Sequence, residues 1–185
     1  MKKQMIVITG QPGAGKTTIG RYFAKYFEIA FLDKDIICDE FTFYIMKNLF
    51  GKEFDKDSKE YKDNVRGIEY STFKNIIKSQ LEIEVSFVAV APFTEEVRDQ
   101  SDYFDDIYEL AYHNGYDINF IYLEAEENEV KKRIIERNKK EDQAKLETWE
   151  IYSKRFKSVS LKEYIKPFLN DNLDDTIENI MNYIN

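Results

Sequence analysis

Residues 10–17 read GQPGAGKT, a full match to the pattern G-x-x-x-x-G-K-[ST]. Each residue type in it has a physical task. Gly10, Gly13 and Gly15 let the backbone turn its N–H groups inward, making a nest for phosphate oxygens. A helix starting near Lys16 adds its positive end. Lys16 has the reach for β and γ phosphates, and the Thr17 hydroxyl suits Mg²⁺. The flanks agree. Residues 5–9 (MIVIT) form an apolar run before a turn, which indicates a buried strand, and residues 16–27 carry Ile19, Phe23 and Tyr26 or Phe27 at helical spacing. Gly10, Gln11, Pro12, Gly13, Ala14, Gly15, Lys16, Thr17 and Thr18 are therefore the candidate nucleotide-binding residues.

Outward from this loop the chain alternates in period. Strands are expected over 30–32, 85–91 (VSFVAVA), 118–123 (INFIYL) and 168–170. Helices are expected over 35–50, 58–82, 94–112 (with Thr94 as N-cap), 126–138, 143–157 and from about 171 to 184. Apolar strands alternating with helices indicate a parallel sheet covered on both faces, an α/β fold. The stretch 51–63 (GKEFDKDSKEYKD) is the most charged and reads as a loop.

Composition bounds the rest. A chain of 185 residues fits one domain, here 1–185. Apolar residues make up 43% and charged residues 34%, as in a soluble globular protein. The net charge of −8 disfavours nucleic acid as a partner, although a local basic cleft is compatible with it. The single Cys38 excludes an internal disulfide, and the single His113 excludes a histidine metal cluster. No apolar run approaches eighteen residues and no leader is visible, so the expectation is a cytoplasmic protein with no membrane partner. The sequence does not set the oligomeric state.

Two aspartates close the second strand in FLDKD, Asp33 and Asp35. Ligands of open α/β sheets sit at the carboxyl ends of strands, which brings this pair beside the phosphate loop. A carboxylate there can hold Mg²⁺ water or orient an acceptor hydroxyl; Asp35, preceding IICDEF, is equally suited to cap a helix. Phosphoryl transfer also needs cations for the charge spread over the γ-phosphate. Arg133 and Arg137 share a helix face and lead into RNKK. Arg66 is suited either to an anionic acceptor or to pairing with a carboxylate, and Arg98 follows the turn containing Phe93.

The stretch GAGKTTIGRYFAKYFEIAFLDKD resembles the opening of shikimate kinase and gluconate kinase, with the pattern G-x-G-K-[ST]-T-x-G-R followed by F-x-D-x-D. The loop and the distal RNKK are also similar to polynucleotide 5′-kinases and zeta-toxin-like kinases. All are small P-loop kinases related to nucleoside monophosphate kinases. The resemblance implies a three-layer fold with a five-stranded parallel sheet and a helical lid, ATP and Mg²⁺ as cofactors, and transfer of the γ-phosphate to a hydroxyl of a small molecule. It implies catalytic roles for Lys16, Asp35, Arg133 and Arg137, and Mg²⁺ on Thr17 and Asp33. It further implies an acceptor contact from Asp35 and a lid over 133–142; acceptor contacts are also expected from Arg66, Phe93 and Arg98, with an acceptor region over 36–82. The chain departs from shikimate kinase in having Ala91-Pro92-Phe93-Thr94 in place of a Gly-Gly pair, which argues against shikimate as acceptor. The alternatives are a nucleotide-binding regulatory ATPase with no small-molecule acceptor, and a polynucleotide or nucleotide kinase. The first of these would need a Walker B acid, and the third strand ends in Ala-Pro instead.

Overall fold

A computed structural model of the chain describes residues 2–52, 55–98, 101–137, 146–153 and 160–184. Five strands form one parallel sheet: β1 (Gln4–Gly10), β2 (Ala30–Asp33), β3 (Phe87–Val90), β4 (Asp117–Glu124) and β5 (Ile165–Leu169), in the order β2-β3-β1-β4-β5. The helices are α1 (Lys16–Tyr26), α2 (Lys34–Phe50), α3 (Lys59–Asn64), α4 (Arg66–Glu82), α5 (Asp105–His113), α6 (Glu127–Arg137), α7 (Trp149–Tyr152) and α8 (Leu173–Ile184). None among the described residues is long and apolar enough to cross a membrane.

β1 runs through the centre because it is apolar on both faces. Met5 and Val7 point to one side, with Phe73, Ile77 and Leu81 of α4 and Ile107 and Ala111 of α5. Ile6 and Ile8 point to the other, with Ile19 and Phe23 of α1, Val130 and Ile134 of α6, and Ile180 of α8. Each of these large side chains contributes about 1.5–3 kcal/mol by leaving water. The alternation along one strand thus builds two cores and fixes which helices cover which face.

Three expectations about the elements change. The helix over 58–82 is two helices, broken at Val65, whose φ of −117° leaves helical geometry. The helix over 94–112 begins only at Asp105. Phe93 adopts a left-handed φ of 44°, and residues 94–97 form turns closed by Val97 N–H to Phe93 O. That segment is also tied sideways by Lys162 N–H to Val97 O, so its backbone bonds go outside any helix. The last strand lies at Ile165–Leu169 rather than 168–170; Pro167 within it is tolerated because β5 is an edge strand. Of the helix expected over 143–157, residues 146–153 are described and carry α7, and the others lie outside the described residues.

Candidate active site

The phosphate loop is shaped by close backbone approach. Gly10 has φ 130°, and a Cβ there would lie 2.0 Å from the Leu123 carbonyl oxygen. Only glycine lets the loop lean on β4, where Gln11 N–H then donates to that same oxygen at 2.9 Å. Gln11 also accepts from Ala125 N–H through its side chain, at 3.2 Å. Pro12 lies within the loop, and Thr18 is exposed in the first turn of α1. The Lys16 ammonium donates to Gly10 O at 3.0 Å and Gln11 O at 2.7 Å, so it spans the mouth of its own loop. Gly15, at φ 88°, caps α1 with no side-chain bond, which leaves the helix N-terminus for an anion.

The second strand feeds α2 with no intervening loop. Asp33, the last strand residue, is the N-cap: Oδ1 accepts from Asp35 N–H at 2.9 Å and Ile36 N–H at 3.4 Å. Its Oδ2 accepts from the Thr17 hydroxyl at 3.1 Å. The capping role that suited Asp35 therefore belongs to Asp33. Thr17 and Asp33 together are an oxygen donor set, which fits Mg²⁺. No group of three His, Cys, Asp or Glu among the described residues could hold a metal by itself.

Asp35 lies in the first turn of α2, half open to solvent, with Oδ1 held by Lys34 Nζ at 3.0 Å and Lys56 Nζ at 2.7 Å. Burial pushes its carboxyl up, but the two ammonium groups outweigh that and hold it well below the usual carboxylate range. Lys34 is itself buried. Its other partner is Glu69 of α4 at 2.5 Å, fully buried, which also accepts from the Tyr61 hydroxyl at 2.7 Å and from Thr42. Burial lowers the Lys34 ammonium, yet Asp35 and Glu69 carry it up to about 12. Cys38, beside this cluster, is a buried thiol that burial pushes up to about 11.

Across from α2, Arg66 opens α4. It pairs with Glu96 at 2.8 Å and Glu95 at 3.4 Å, and its guanidinium lies 4.2 Å from the Tyr70 ring centre. Of its two readings at the sequence level, pairing with carboxylates is the arrangement adopted. Phe93 is wholly buried, 4.8 Å from Phe104 and within 6 Å of Tyr70, Phe73 and Tyr103, so it backs the cleft wall from the core. Arg98 is exposed and its backbone bridges Leu161.

On the nucleotide side, Arg133 donates to Glu129 at 3.0 Å and to Asn170 O at 2.8 Å. The Asn170 side chain donates to Ala14 O in the phosphate loop at 2.7 Å. Asn172 caps α8 through the N–H groups of Asp174 and Asp175. Arg137 ends α6, and residues 138–142 of the expected lid lie outside the described residues.

Sequence reading missed Lys34, Lys56, Glu69, Tyr70 and Glu96. One signal was present: Glu69, Phe73, Ile77 and Leu81 are four apart and all buried, so a carboxylate stands in the apolar stripe of α4. A charge there must be paired.

The geometry agrees with what the chain is similar to. Shikimate kinase of Clostridium botulinum (strain Eklund 17B / Type B) is 38% identical over 76 residues, 41% of this chain and 41% of that protein. The match thus spans about two fifths of the relative's length. A gluconokinase structure from Sinorhizobium meliloti 1021 superposes with a TM-score of 0.62 at 14% identity, over 99% of this chain and 91% of the other. A sugar kinase structure from Janibacter sp. HTCC2649 gives 0.61 at 16% identity, over 98% and 94%. Both likenesses are of fold, that of the small P-loop kinases. A family model described as an AAA domain matches residues 5–159, most of the chain, and the chain belongs to that family.

Proposed function

We propose that the protein is an ATP-dependent phosphotransferase that moves the γ-phosphate to a hydroxyl of a small molecule. The observation that carries this reading is the shared carboxylate of Asp33. It joins Thr17, beside the phosphate-loop lysine, to the first turn of α2, where Asp35 faces solvent two residues on. These contacts support donor and acceptor groups sharing one strand end.

Lys16 would exchange its loop carbonyls for phosphate oxygens and neutralise charge that develops on transfer. Mg²⁺, held by Thr17 and Asp33, supplies further neutralisation when bound. A carboxylate as acidic as Asp35 is a weak base, so its part is to orient the hydroxyl and stabilise positive charge on it. Arg133 and Arg137 serve as cations of a lid over 133–142, and residues 36–82 with Arg66 and Arg98 form the acceptor side of a single domain. The shikimate kinase and gluconokinase names of similar proteins support an alcohol as acceptor class.

The test is ADP release with and without a panel of polyols, sugars and amino alcohols. Lys16→Ala should abolish turnover in a folded protein. Asp35→Asn should bind ATP normally and transfer about 10²–10⁴-fold more slowly. ATP hydrolysis indifferent to every acceptor would favour a nucleotide-driven switch instead, and unchanged turnover in Lys16→Ala would sink both.

A further inference from the structure

Three cations between α2 and α4 each pair with two carboxylates. Lys34 bridges Asp35 and Glu69. Lys56, reaching over from the loop before α3, bridges Asp35 and Asp39 at 2.7 Å each. Arg66 bridges Glu95 and Glu96. The wall between α2 and α4 therefore carries two more carboxylates than cations. The most open of them, Glu95 and Asp35, have 66% and 49% of their side-chain surface in solvent.

Tyr70 joins the two halves of this wall. Its ring receives Arg66 at 4.2 Å and Lys34 at 5.3 Å, and the residue is only 6% exposed. Its hydroxyl makes no hydrogen bond among the described residues, whereas the neighbouring Tyr61 and Tyr103 hydroxyls both do. Burial and the nearby Glu96 push the Tyr70 phenol up, so it stays protonated and neutral.

We infer that the acceptor is an uncharged or amine-bearing alcohol, and that the cleft rejects alcohols carrying a carboxylate. This rests on the phosphotransferase reading above and narrows it. A carboxylate entering beside Arg66 would have to displace Glu95 or Glu96 and leave that acid unpaired against Asp35. An ammonium would instead find Glu95 open to it, and a neutral hydroxyl would find Asp35. Discrimination here comes from a repulsive element already built into the wall.

The experiment measures kcat/KM for matched sets that differ only in charge: glucose, glucosamine and glucuronate, and equivalent polyol, amino-polyol and aldonate sets. ATP affinity is titrated separately. Neutral and amino members should exceed the carboxylate member by about tenfold or more, a difference of about 1.4 kcal/mol. Glu95→Gln, at an exposed position, should raise the carboxylate-to-neutral ratio, and Glu95→Gln with Glu96→Gln should raise it further by freeing Arg66. A wild-type protein that phosphorylates the carboxylate member as well as the neutral one overturns the charge inference alone. So does a ratio that does not move in a folded Glu95→Gln variant. Normal ATP affinity with no transfer to any member of any set overturns the phosphotransferase reading and this inference with it.

Discussion

Thr17 and Asp33 are sixteen positions apart and share one hydrogen bond of 3.1 Å, from the Thr17 hydroxyl to Oδ2. The other oxygen of that carboxylate holds the first turn of α2. A single side chain therefore fixes the start of α2 relative to the start of α1. Movement of either helix is felt at the other, and the acceptor side cannot drift from the phosphate loop without breaking a cap.

Separating the two duties of Asp33 requires two substitutions. Asp33→Asn keeps an oxygen for the cap and should change stability by less than about 0.5 kcal/mol. Asp33→Ala removes the cap and should cost about 1 kcal/mol or somewhat more. Both should weaken ATP binding in Mg²⁺ and leave binding in EDTA nearly unchanged. Urea melts with parallel nucleotide titrations decide this. Equal Mg²⁺ dependence in wild type and Asp33→Asn would make the residue a cap only.

The Lys34–Glu69 pair, together with the depressed Asp35 carboxyl, should shape how stability responds to pH. Burial raises the Glu69 carboxyl, but Lys34 and Thr42 outweigh it, leaving it below the ordinary 4.5. Its contribution is present above 4.5 and is lost as pH falls through the folded value. Lys34 is raised from 10.5 to about 12, so its contribution is present below 10.5 and is lost as pH rises through 12. Stability should be flat between about pH 5 and 10 and decline outside that range. Glu69→Gln leaves a buried ammonium short of a partner and should cost about 3–5 kcal/mol while flattening the acid limb. Lys34→Met with Glu69→Leu should recover most of that loss. Urea midpoints across pH would show it; an acid limb of wild-type slope in Glu69→Gln would refute the assignment.

Two glycines should respond oppositely to alanine. At Gly10 the new methyl meets a backbone carbonyl at 2.0 Å in a left-handed conformation, so Gly10→Ala should cost about 1–3 kcal/mol or more and abolish ATP binding. At Gly67, in the first turn of α4, a Cβ meets nothing within 4 Å. Gly67→Ala should raise stability by about 0.4–1 kcal/mol with no effect on ATP affinity. Thermal melts of both variants settle the contrast.

The phosphate loop and the parallel sheet were legible because both are local patterns. GQPGAGKT encodes its own turn, and strands such as VSFVAV can only be buried on both faces. The cap was misplaced by two residues because β2 runs into α2 without a loop, so the strand's last residue does the work of a connector. The turn at 94–97 was hidden because Thr-Glu-Glu is a good helix start, and a distant backbone pairing with Lys162 overrides it. Lys34 and Lys56 carry no local signal, and Arg66 read singly stays open between an anionic acceptor and a carboxylate. Their partners lie 35, 21 and 30 residues away, and only the packing of α2, α3 and α4 brings them together.

The bond from the Asn170 side chain to Ala14 O closes 156 residues of chain. During synthesis the amino-terminal strand and its loop emerge first, and their partner emerges only when β5 has been made. A ribosome-bound nascent chain that ends before Asn170 therefore carries the complete GQPGAGKT segment without the contact that braces it. The brace on the phosphate loop is thus available only late in translation, once β5 has been made.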